Sequence, residues 1–432
     1  MTDSHATRSL IQPSPVRASG QIAWALYDWA NSAFAAVIIT FVFATYFSQG
    51  IAPDPETGTA QWGWALTVSA MIAAVLGPVL GAVADAGGRR KPWIFVFTWV
   101  CIVATGFLWF ALPDPGWVLY ALVLVVIANL GLEMAGIFYN AMLSDLARPE
   151  RIGRLSGWSW GLGYLGGLSC LVLALFALVQ TETPLFGLSK DTAEHVRATG
   201  PLVGLWLALF SLPLFFLTPD RPAGGLDAKQ AIREGLARLR ETIKHLGNYR
   251  KVAHFLLARM LYIDGLNTLF AFGGIYAAGT FGFALADVIT FGILLNVTAG
   301  LGAFVFAWID DYLGPKPVIL TALAGLFLCG LAAVLVEDAT AFWIIGGLLG
   351  IFVGPTQAAS RTLMAKLSPA DQQTEMFGLY ALSGKVTAFL GPFLLGTVTL
   401  WADSQRAGMA TILIFFAAGF LLLWTLDTGE SE

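Results

Sequence analysis

The stretch GAVADAGGRRKPW, residues 81–93, separates two apolar blocks with an aspartate, a glycine pair and three consecutive basic residues. Its counterpart is DDYLGPKP, residues 310–317, where an aspartate again leads a glycine and a Lys-Pro pair. Each stretch follows the second apolar block of its own half of the chain. The repeat unit is therefore about half the sequence, and internal repetition of hydrophobic segments marks several transporter folds.

Outward from these two loops the chain is apolar almost throughout. Of 432 residues, 57% are hydrophobic and only 12% are charged, whereas a soluble chain is charged at about a quarter of its positions. The hydrophobicity comes in blocks of about 20 residues, the length an α-helix needs to cross a bilayer. Reading those blocks against charged and Pro/Gly breaks predicts twelve helices, at roughly 22–48, 62–84, 93–112, 117–144, 155–181, 199–218, 252–279, 287–309, 318–336, 341–364, 375–400 and 407–426. The expected fold is an all-α integral membrane protein. Its twelve transmembrane helices form two pseudosymmetric six-helix bundles, over residues 1–218 and 252–432.

Orientation follows the Lys/Arg bias of short loops. With both termini cytoplasmic, Arg89, Arg90, Lys91, Arg148, Arg151, Arg154, Lys316 and Lys366 fall on the inner side. Asp54, Glu56, Asp114, Glu337 and Asp338 then fall outside. The first 20 residues hold Arg8 and Arg17 but no apolar signal core, so helix 1 is expected to be an uncleaved anchor. Residues 219–251 are the one long inner connection. In it Ile232, Leu236, Leu239, Ile243 and Leu246 recur every three or four residues, with Arg233, Arg240 and Lys244 on other faces. That pattern predicts an amphipathic helix on the inner membrane surface, linking the halves.

Several function classes fall away. The net charge is −4 and the basic residues form no single positive face, so nucleic-acid binding is not expected. Cys101, Cys170 and Cys329 lie in apolar blocks without metal or redox spacing. His5, His195, His245 and His254 are scattered. No Walker A loop, HExxH or GxSxG stands in a suitable context. Neither cofactor, metal nor enzymatic activity is expected.

Charged residues inside spans are costly, which makes them candidates for function. Asp28, Asn31 and Ser32 share one helical face, and Asp264, Asn267 and Thr268 repeat the arrangement in helix 7. A carboxylate there could bind a substrate ammonium or carry a proton; alternatively, the polar groups tie helices together. Asp264 lies nearer mid-span, so depth favours it over Asp28. Glu133 makes a polar stripe on helix 4 with Asn129 and Asn140, and Gln357 is the matching polar position on helix 10. Lys385 on helix 11 either pairs with Asp264 or meets a substrate carboxylate. Arg259 and Arg361 lie closer to the inner surface.

The spacing G-x-x-x-D-x-x-G-R-R-K, formed by Gly81, Asp85, Gly88, Arg89, Arg90 and Lys91, resembles the loop 2–3 signature of the major facilitator superfamily. Ala86 stands where a basic residue often follows the aspartate. WALYDWANSAF in helix 1, IFYNAMLSDLA in helix 4 and SGWSWGLGYLGG in helix 5 extend the likeness. So do FAFGGIYAAGTFG in helix 7, GPTQAASRTLMAKL in helix 10 and EMFGLYALSGKVTAFLGP in helix 11. Together these are similar to the vacuole-effluxer-like branch, which includes fungal vacuolar amino-acid exporters and bacterial relatives. The resemblance implies alternating access around a path lined by helices 1 and 7. It also implies a small polar solute, an amino acid first, and a bacterial inner membrane. It further implies that Asp85 accepts from the start of helix 11 near Thr374 and Glu375, with Arg89 or Arg90 reaching Asp145, holding the inner side shut. Asp310 and Lys316 occupy the equivalent places in the second half.

Coupling to protons through Asp264 or Asp28 is expected alongside the simpler facilitator. The partners expected are the lipid bilayer and the solute, with a monomer as the working unit. Two other readings stand. GGRRKPW also resembles the loop of glycoside symporters, which would make the solute a sugar. A non-transporting membrane solute sensor is the alternative of another class.

Overall fold

The computed structural model describes residues 16–244 and 246–427. His5, Arg8 and His245 lie outside the described residues, as do the side chains of Ile243 and Leu246. Twelve described helices are long and apolar enough to cross a membrane. Helices 1 to 6 span Ala18–Ile51, Pro55–Gly87, Lys91–Phe110, Pro115–Leu146, Pro149–Val179 and Glu194–Leu217. Helices 7 to 12 span Arg250–Phe281, Asp287–Leu313, Pro315–Leu335, Ala339–Leu367, Gln373–Ala402 and Gln405–Trp424.

The two halves pack as two bundles of six and meet chiefly along two crossings, helix 2 on helix 11 and helix 5 on helix 8. Since helix 8 is the repeat of helix 2 and helix 11 that of helix 5, the crossings are pseudosymmetric mates. Each needs a residue without a side chain. A Cβ added to Gly81 would lie 2.5 Å from the Thr374 carbonyl oxygen, and one added to Gly157 would lie 2.5 Å from Ala307 Cβ. Backbones that approach this closely gain van der Waals contact, the main attraction between helices in lipid.

Helices 1 and 11 depart from regular α geometry within their spans. Helix 1 is α-helical over Ala18–Ala33 and then widens into π-helical turns over Phe34–Phe41. Helix 11 is α-helical over Gln373–Val386, loosens at residues 387–389 and resumes over Leu390–Ala402. A break at membrane depth is tolerated when the freed backbone groups find partners.

The long connection carries a helix, Ala228–Lys244. Its described apolar positions are divided between a buried and an exposed side. Ala231, Gly235, Leu239 and Thr242 are buried, and the helix packs on the basic end of helix 2, with Gly235 against Val83. Ile232 and Leu236 stay exposed. The small Ala231 and Gly235 allow a closer approach than the larger side chains, so they select the docked face.

Lys91 and Lys316, equivalent in the repeat, do equivalent work. Lys91 Nζ donates to the Thr218 carbonyl at 2.7 Å, just past helix 6. Lys316 Nζ donates to the Trp424 and Leu426 carbonyls at 3.0 and 2.5 Å, at the end of helix 12. A cation at a helix C-terminus satisfies its last carbonyls and complements the dipole.

Candidate functional site

The face carrying Arg89 to Lys91 is sealed between the halves. Asp85, its side chain only 2% exposed, ends helix 2 opposite the start of helix 11. Its Oδ2 accepts from the backbone N–H groups of Thr374 and Glu375 at 2.8 and 2.9 Å. Its Oδ1 accepts from the Thr374 hydroxyl at 2.6 Å. The first N–H groups of a helix lack intrahelical partners and carry the positive end of its dipole, so a carboxylate fits there.

Arg90 is the arginine that completes this seal. It donates to Asp145 Oδ2 at 2.6 Å, to the Ala141 carbonyl at 2.7 Å and to the Thr374 hydroxyl at 2.9 Å. Arg89, the other candidate, is exposed. Burial pulls the Arg90 guanidinium below its ordinary pKa despite the Asp145 carboxylate beside it. Arg221, from the connection, grips both Asp145 oxygens at 2.7 Å. In the second half the matching contact falls one residue later than the repeat implies. Asp311 Oδ1, rather than Asp310, accepts from the Arg154 N–H at 2.9 Å, and Arg154 Nε faces Asp311 Oδ2 at 3.1 Å. Asp310 is buried against Gly153. Gly88 closes helix 2 at a φ of 84°.

Beyond the seal, toward the opposite face, lies a cavity of about 530 Å³. Its outer walls are apolar and aromatic, with Phe41, Phe291 and Phe342 among them. The polar groups Asp28, Asn31, Ser32, Trp160, Tyr164, Asn296 and Gln357 also line it. Asp28 and Arg361 join the halves here, Arg361 Nη1 lying 2.9 Å from Asp28 Oδ2. The Ser159 hydroxyl donates to the same oxygen at 2.5 Å. Asp28 Oδ1 accepts from Asn31 Nδ2 at 3.4 Å.

Arg361 is fully buried, and each of its three side-chain nitrogens donates to a partner. It donates to the Ser156 hydroxyl and carbonyl at 3.0 and 2.6 Å and to Asn140 Oδ1 at 3.3 Å. Its guanidinium lies over the rings of Trp160 and Trp24, 4.8 and 5.1 Å from their centroids, where a cation is attracted by the π face. Gln357 Oε1 accepts from Trp160 Nε1 at 3.1 Å and from the Tyr164 hydroxyl at 2.8 Å, which orients both walls.

The other candidates do not line the cavity. Asp264 is buried with Thr268 against helices 11 and 12, its Oδ2 accepting from the Gly391 N–H at 3.2 Å where helix 11 resumes. Its Oδ1 has no hydrogen-bond partner among the described residues. Asn267 is exposed on another side of helix 7, so the predicted polar face is divided. Lys385 pairs with neither Asp264 nor the cavity. Its Nζ lies 2.8 Å from Glu133 Oε1, which also accepts from Asn129 at 3.2 Å, forming a further bridge between the halves. Sequence reasoning missed the Asp28–Arg361 pair and the Ser156 and Ser159 partners. One signal was available, since Arg361 follows Gln357 by four positions and shares its face.

Three comparisons bear on this arrangement. The profile of the family described as vacuole effluxer Atg22 like matches residues 64–432. An uncharacterized MFS-type transporter of Bacillus subtilis, YxiO, is 27% identical over 404 residues, covering 93% of each chain. Autophagy-related protein 22 of Coccidioides immitis is 22% identical over 458 residues, covering 87% of this chain and 74% of its own. Among solved structures, the major facilitator transporter FucP in its outward conformation superposes with a TM-score of 0.74 at 14% identity, over 95% of this chain and 98% of its own. That last likeness speaks to the fold.

Proposed function

The chain belongs to the vacuole effluxer Atg22-like family of the major facilitator superfamily and is an integral multi-pass membrane transporter; from that premise we propose that it carries a small polar solute, an amino acid first among the candidates, by alternating access. The observation that carries this reading is the position of Asp28. Its Oδ2 is held by Arg361 and Ser159, and the residue lines a cavity of the size that takes a single small ligand. The Asp28–Arg361 pair is neutral as a unit, which suits a zwitterion. A substrate ammonium would bind Asp28 Oδ1 beside Asn31, with Gln357 shaping the facing wall.

The same pair supplies a reason for the solute to drive the cycle. Asp28 and Arg361 belong to different halves, so opening the basic face must part them. A bound ammonium replaces the contact Asp28 then loses, and such a differential contact is what shifts a two-state equilibrium. In this reading residues 1–218 and 252–432 are the two moving bodies and 219–251 the tether. The basic face is cytoplasmic in a bacterial inner membrane, with both termini inside, and one chain contains the whole path. Asp85, Arg90 and the Asp311–Arg154 contact hold the cytoplasmic side shut. Asp264 is the candidate proton site, supported by its buried unpartnered oxygen beside the break in helix 11.

Solute counterflow in proteoliposomes, with panels of amino acids, dipeptides and sugars and with or without a pH gradient, tests the reading. Exchange confined to sugars would replace the solute class with that of a glycoside symporter. No exchange of any class would remove the transport reading and leave the solute sensor.

A further inference from the structure

At the basic ends of helices 3 and 6 a cleft is bounded by Arg89, Lys91 and Arg221 at one end and by Phe95, Val96 and Phe215 at the other. The order along the helices matters. The cations gather where helix 3 begins, and Phe95 and Val96, 45% and 55% exposed, follow one turn into the span. The cleft's one carboxylate, Asp220, is taken up by the N–H groups of Arg90, Lys91 and Arg221 at 3.0, 3.2 and 2.9 Å. Lys91 Nζ is engaged with the Thr218 carbonyl and Arg221 with Asp145. Arg89 is exposed and has no hydrogen-bond or ion-pair partner among the described residues. Among the described residues no carboxylate therefore contacts the Arg89 guanidinium, a group whose planar fork matches phosphate.

We propose that this cleft binds an anionic phospholipid, its headgroup phosphate on Arg89 and its acyl chains along Phe95, Val96 and Phe215. Cationic groups followed by exposed apolar ones, in that order along the membrane normal, mirror the order of headgroup and chain in a lipid. Free phosphate would use the first set alone. Arg221 belongs both to the cleft and to the seal through Asp145, so an occupant here touches the closure of the basic face.

Native mass spectrometry of the full-length protein, offered phosphatidylglycerol and phosphatidylcholine of matched chains, tests the site. The wild type should retain one phosphatidylglycerol in preference to phosphatidylcholine. Arg89→Gln, a change at an exposed side chain, should weaken that preference about fivefold, the effect of one basic residue near an anionic lipid. Arg89→Lys should recover most of it. Arg233→Gln, on the exposed side of the connecting helix, should leave it unchanged. Equal retention of both lipids by the wild type overturns the proposal. So does a preference lost in Arg233→Gln but kept in Arg89→Gln. Complete displacement by millimolar inorganic phosphate would overturn the lipid as occupant.

Discussion

Replacing Asp85 with asparagine should open the basic face. The carboxylate receives three donors from the other half, the Thr374 and Glu375 N–H groups and the Thr374 hydroxyl, at 2.6–2.9 Å. Asparagine keeps one carbonyl oxygen and presents an NH₂ group where an acceptor stood. At least one of the three bonds is therefore lost, and the rest lose their charge assistance. Hydrogen bonds to a charged group are worth about 1.5–3 kcal/mol and neutral ones about half that. When the face is open, water serves either side chain, so the loss falls on the closed state alone. Allowing for partial rearrangement, closure should weaken by about 2–4 kcal/mol, or roughly 30- to 1000-fold in the closed-to-open ratio. Pulsed electron paramagnetic resonance between spin labels at the exposed positions Arg148 and Ala370 reads this directly. The parent should show one short distance and Asp85→Asn a second, longer one. Identical distance distributions would refute the reasoning, since they would mean that these bonds do not differ between the two states.

Arg361→Met leaves Asp28 without its partner and should cost about 3–5 kcal/mol, with part of the loss recovered in the Asp28→Asn, Arg361→Met double variant. Thermal unfolding in detergent compares them, and additive losses would show that the pair is not coupled. Lys385→Met breaks a pair that does not line the cavity, so it should spare solute binding. Loss of binding in that variant would put Lys385 on the solute path. Asp264→Asn should abolish accumulation driven by a pH gradient while sparing exchange; unchanged accumulation would remove Asp264 as the proton site.

Much of the architecture could be read from composition and repetition. The twelve spans follow from apolar length, and the seal between Asp85 and the start of helix 11 was expected from the motif at Gly81 to Lys91. The site was less legible. Asp264 seemed the better candidate because it lies nearer mid-span, yet Asp28 reaches the cavity and Asp264 is buried behind helix 11. Position along a helix can be counted from sequence, but the direction a side chain faces in the assembled bundle cannot. Asn267 shows the same limit, exposed while Asp264 and Thr268 of its supposed face are buried. Lys385 found Glu133, a partner on helix 4 that depth alone did not single out.

The sequence by itself determined that this chain crosses the membrane twelve times, that its halves repeat, and that two aspartates sit where charge is costly. These properties accumulate along the chain, residue by residue, and need no knowledge of neighbours. Only the tertiary structure decided which aspartate lines the cavity and which cation pairs with it. Asp28 and Arg361 are 333 positions apart, and they meet because helices 1 and 10 both pack on helix 5. A buried charge is tolerable only beside its partner, and that pairing exists only once the bundles have closed on one another.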